Sequence, residues 1–116
     1  MDNLYLAVAG LTALANAGMA IGGLSKAEFV VKNAVEVGVA PSWVPLFGAL
    51  KAAGAIGLVI GLFGIPVIGT AAAAGLVVFF VGAVTAHVRA RVLYNIAFPS
   101  FFLALAVASL VLSMHA

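Results

Sequence analysis

Lys51 stands in the apolar run Gly48-Ala49-Leu50-Lys51-Ala52-Ala53-Gly54, with no other charged residue between Glu36 and Arg89. An ammonium inside such a run can bind an anion, polarise a carbonyl or donate a proton. It can equally snorkel, laying its four-carbon stem along a helix until the charge reaches lipid headgroups. Both roles are open on the sequence. His87 is the second candidate for chemistry, as an acid or electrophile. Its ordinary role is that of an interfacial residue at a helix C-terminus, where Arg89 and Arg91 also complement the dipole. Lys51 and His87 are therefore the catalytic candidates. The ligand-binding set expected around them is Asn16, Lys51, His87, Arg89, Tyr94 and Asn95, all in one half of the chain's folded length. Asn16 is the only amide in the first apolar run, and an interhelical hydrogen bond to a backbone carbonyl is expected of it. Arg89 and Arg91 suit lipid phosphates better than catalysis.

The elements that must position these residues follow from composition. Of 116 residues, 66% are hydrophobic and 7% are charged, and the mean hydropathy is +1.34. A soluble domain carries roughly a quarter charged residues, so most of this surface must face lipid. The net charge of +2 is spread over helix ends and does not form the dense basic face of a nucleic-acid binder, so membrane lipids are the expected partners. There is no cysteine, which removes disulfides, thiol catalysis and thiolate metal sites. His87 and His115 fall at opposite ends of the bundle outlined next, and no metal site is expected.

Hydropathy predicts an all-α, membrane-embedded four-helix bundle, a single domain with spans over about 4–24, 44–63, 66–86 and 98–115. Asp2 near the start is acidic where a cleaved signal would be basic, so the first run reads as a retained span. Gly22-Gly23 is expected to stop it. Residues 25–38 read as a short interfacial amphipathic helix. Ser25 and Glu28 have capping-box spacing, and Ser25, Lys26, Glu28, Lys32, Asn33 and Glu36 form the expected wet side. Trp43 suits the headgroup layer, and the Gly64 hairpin joins spans two and three. Pro99 fits the first turn of span four. Gly54, Gly57, Gly61 and Gly64 share a face of span two, while Ala9, Gly10, Ala13, Ala17, Gly18 and Gly22 give span one small residues for close packing or a subunit interface. Every Lys and Arg lies on the side of the two longer connectors or near it, which predicts both termini outside the cytoplasm. The first span holds no acid, so proton exchange of the kind performed by four-span multidrug exchangers lacks its intramembrane carboxylate.

Gly48 to Gly61, then Pro66-Val67-Ile68-Gly69, and Phe80-Val81-Gly82-Ala83-Val84-Thr85-Ala86-His87-Val88-Arg89 give the chain a resemblance to the DoxX-like family of small four-span membrane proteins. The connector with Pro41 and Trp43 fits as well. The resemblance implies an accessory membrane subunit of an oxidoreductase assembly, including quinone-linked ones. Relatives assigned thiol chemistry offer no guide, since this chain lacks cysteine. The expected function is a non-catalytic accessory or scaffold subunit holding a lipophilic ligand, a quinone or a lipid, near Lys51. The alternative is a membrane-embedded enzyme on a small lipophilic substrate, with Lys51 or His87 as acid or electrophile. Homo-oligomerisation through the small-residue faces is a further expectation.

Overall fold

The computed structural model describes residues 3–115. Met1, Asp2 and Ala116 lie outside the described residues, and with them the acidic start on which the retained-span argument leaned. The chain forms α1 (Asn3–Leu24), α2 (Glu28–Glu36), α3 (Val44–Leu62), α4 (Pro66–Arg89) and α5 (Ala97–Met114), with a 3-10 turn over Pro41–Trp43 leading into α3. There is no strand among the described residues. α1, α4, α5 and α3 with its leading turn are each long and apolar enough to cross a membrane. This is a four-helix membrane bundle.

The long helices form a ring in which α1 packs on α3 and α5, and α4 packs on the same two. Its core is small and aromatic: Ala13, Ala55, Leu58, Ala73, Leu76, Phe80, Phe102 and Ala106. Lipid supplies little hydrophobic incentive for association, so backbone proximity must contribute. A Cβ on Gly61 would lie 2.5 Å from the Gly69 Cα, and one on Gly48 would lie 2.8 Å from the Leu24 amide nitrogen. Hydroxyls add interhelical bonds. Thr12 Oγ1 lies 2.7 Å from the Val8 carbonyl and 2.9 Å from Ser109 Oγ, joining α1 to α5. Thr70 Oγ1 lies 3.0 Å from Ser113 Oγ, joining α4 to α5.

Three local expectations need correction. α1 ends at Leu24 as expected, but Gly22-Gly23 lie inside its last turn, with Gly23 in close approach to Gly48. The turn comes at Lys26, which takes the left-handed conformation (φ 54°) while the Lys26 and Ala27 amides donate to the Gly23 and Gly22 carbonyls. The capping box does not form. Ser25 Oγ donates back to the Ile21 carbonyl at 2.7 Å, and α2 starts at Glu28 with no side-chain cap. Span three extends past Ala86 to Arg89, which places His87 in the last turn of α4. α4 then ends as α1 does, with Arg91 left-handed (φ 57°) and the Val92 amide on the His87 carbonyl.

Candidate functional site

The α3–α4 contact is graded along its length. Starting from the hairpin at Gly64, Gly61 faces Gly69, Gly57 faces Ala72 and Gly54 faces Leu76. One turn further on, the Lys51 ammonium faces the Phe79 ring. Partners that grow from glycine to phenylalanine replace backbone contact with side-chain bulk toward the connector end. There the bundle forms an open-sided cavity of roughly 420 Å³. Its walls include Phe47, Phe79, Phe80, Phe98 and Phe102, and it is covered by Val30, Asn33 and Ala34 of α2 and by Val37 just after it.

Lys51 sits seven residues into α3, about 10 Å along the axis from Val44. Its Nζ lies 5.3 Å from the Phe79 centroid and 6.0 Å from that of Phe80, so the side chain turns into the bundle instead of out to lipid. Ring faces attract a cation by about 0.5–2 kcal/mol. Placing a lysine at the centre of a span costs roughly 2.5–3.5 kcal/mol by insertion measurements. The two rings offset part of that cost, and no acid or other hydrogen-bonding group among the described residues supplies the rest. Lys51 is also the only charged side chain lining the cavity.

His87 lines the same cavity and is 3% exposed. Its Nδ1 lies 2.9 Å from the Ala83 carbonyl, which can only accept, so Nδ1 carries a proton. In the neutral ring Nε2 is then an acceptor, and it has no partner. Asn33 is the third polar lining residue, and sequence reasoning missed it. The wheel placed it on the wet side of α2, yet Val30, Asn33, Ala34 and Val37 form the inward stripe. Asn95 Nδ2 donates to Asn33 Oδ1 at 2.8 Å, leaving the Asn33 amide nitrogen unused. Beside it, the Tyr94 hydroxyl donates to Glu36 at 2.6 Å. That bond, with the carboxylate's charge, holds the Tyr94 phenol above its usual value of 10.0. These two bonds clasp α2 to the 90–96 connector, so Glu36 too is turned from the expected wet ladder toward a partner.

The remaining candidates separate from the cavity. Asn16 is fully buried but does not line it, and its Nδ2 donates to the Thr12 carbonyl of its own helix at 2.9 Å, where a bond to another helix was expected. Arg89 is exposed at the end of α4. Tyr94 is 76% exposed, and Asn95 positions Asn33 without lining the cavity itself. The structure thus brings together Lys51, His87 and Asn33. The one sequence signal for Asn33 was an amide one turn from valines on either side.

A helical membrane bundle with one half-buried lysine as the only charged side chain lining an aromatic cavity is the class of protein this fold and site define. The DoxX-like family model matches residues 7–109, and the chain belongs to that family. No curated protein and no solved structure gave a match to the chain.

Proposed function

We propose that this multi-pass membrane protein is a non-catalytic accessory or scaffold subunit that holds a lipophilic ligand, a quinone or a lipid, in the Lys51 cavity. The observation that carries the reading is a lysine ammonium turned into an aromatic-walled cavity with no acidic partner. A ligand with an apolar body and an acceptor group would fill both needs. It would lie against Phe47, Phe80 and Phe102 and accept from Lys51. The associated partner is a membrane oxidoreductase assembly, the role its family resemblance implies, and both termini lie outside the cytoplasm.

A second reading is favoured by the unpartnered Nε2 of His87 in the same cavity. In it the protein is an enzyme on a small lipophilic substrate, with Lys51 as electrophile and His87 taking up a proton.

Trp43 is the chain's only tryptophan and lies 6.2 Å from Phe47, a cavity wall. Decyl-benzoquinone titrated into the detergent-purified protein should quench Trp43 fluorescence saturably. Lys51→Met, which keeps length and removes charge, should fold normally and lose that saturation. Equal quenching in both proteins would sink the ligand reading.

A further inference from the structure

The cavity has an opening that its polar groups do not explain. Val78 and Gly82 line it and are also exposed on the outer flank of α4, Val78 at 73%. Val78 lies eleven residues from the end of α4, about 16 Å along the axis, so this side opening falls within the hydrocarbon depth of the span. What meets such an opening is acyl chain, not water. Lys51, at the level of Phe79, stands just inside it.

The electrostatics select the headgroup. Lys51 is positive, Asn33 adds an amide donor, and no carboxylate lines the cavity. A neutral ester or alcohol would accept a bond and leave the charge unbalanced. A single negative charge, as on a carboxylate, balances it. The arginine fork that binds phosphate oxygens in bidentate fashion is absent from the lining.

We infer that the Lys51 cavity is a site for a single-chain lipophilic carboxylate, a fatty acid, that enters sideways between α4 and its neighbours with its tail left in the bilayer. The inference rests on the ligand-holding reading above and narrows it to an anion. The Phe79 and Phe80 faces hold the ammonium in place while the site is empty, and the carboxylate replaces part of that contact with a charge pair.

The test uses the full chain in phosphatidylcholine nanodiscs, with cis-parinaric acid as the fluorescent probe receiving energy from Trp43. Oleate should displace the probe at about tenfold lower concentration than oleyl alcohol, since the pair differs only in the charged hydrogen-bonding head. Lys51→Arg should keep that preference, and Lys51→Met should bring the two within about twofold of each other. Circular dichroism of both variants checks that the bundle is intact. Equal displacement by oleate and oleyl alcohol overturns the inference, as does a preference that survives in Lys51→Met. If decyl-benzoquinone displaces the probe in a Lys51-dependent way while oleate and oleyl alcohol do not differ, the fatty-acid inference falls and the ligand-holding reading stands. If the probe gives no energy transfer above that of empty nanodiscs, both fall.

Discussion

Lys51 could be found in the sequence because a charge inside an apolar run is rare and has few explanations; which way it points could not, because that depends on a helix the run does not contain. The graded partners on α4, ending in Phe79, settle it. Asn33 was hidden for a different reason. On a wheel it sits among Lys32 and Glu36, and its partner Asn95 lies 62 positions away in the chain. Asn16 was misplaced because an amide mid-helix can donate to its own i−4 carbonyl; its buried Oδ1 is left without a partner on either its own or another helix. The Tyr94–Glu36 bond gives a direct test of the clasp. The proton-bearing phenol is the form that donates to the carboxylate, so the folded-state value is raised and the bond persists until pH rises through it. Glu36→Gln removes the negative charge and the strong acceptor. Absorbance near the tyrosinate band should then show one tyrosine ionising at lower pH than in the parent protein. Superimposable titrations would mean that the clasp does not form in solution.

At the scale of elements, the four spans were readable because twenty apolar residues in a row have few other fates, and Pro99 marked the first turn of the last one. Glycine was the ambiguous letter. Gly22-Gly23 looked like a stop, whereas the chain turns at Lys26 and uses Gly23 for packing. The small residues of α1 also divide: Ala9 and Ala13 are buried, while Gly10 and Gly18 have open space beside them. Sequence alone assigns no such division, because a missing side chain carries no information about what stands opposite. The division predicts unequal mutants. Gly61→Ala places a Cβ 2.5 Å from the Gly69 Cα and 2.8 Å from its nitrogen, atoms of backbone that cannot rotate away. The cost should be about 1–3 kcal/mol, seen as a lower melting temperature in detergent. Gly57→Leu should behave likewise against Ala72. Gly10→Ala meets nothing within 4 Å and should be neutral, or stabilising by roughly 0.5–1 kcal/mol through helix propensity. Equal melting of Gly61→Ala and Gly10→Ala would show that α3 and α4 do not approach as described.

At the scale of the whole molecule, the bundle has two chemically different ends. Asn33–Asn95 and Glu36–Tyr94 tie the two longer connectors together, so they share one end. Lys26 and Lys32 belong to the first connector, Arg89 and Arg91 to the close of α4, and Lys51 to the half of α3 nearest it. The opposite end holds the Gly64 hairpin, Asn3 and His115, with no lysine or arginine among the described residues. Short connectors rich in Lys and Arg stay cytoplasmic because translocating them is unfavourable, and here all five basic residues act in the same direction. The bundle should therefore insert with the cavity's covered end, under α2, at the cytoplasmic face. The chain's lack of cysteine makes this measurable with single-cysteine variants at Asn3, Lys32 and His115. In intact cells a membrane-impermeant maleimide should label Asn3→Cys and His115→Cys, while Lys32→Cys should react only after lysis. Replacing Arg89 and Arg91 with glutamate leaves Lys26 and Lys32 to hold the first connector inside, so the labelling pattern should weaken without inverting. A pattern in which Lys32→Cys reacts first and Asn3→Cys is protected would reverse the orientation, and would place the covered end of the Lys51 cavity on the outer side of the membrane.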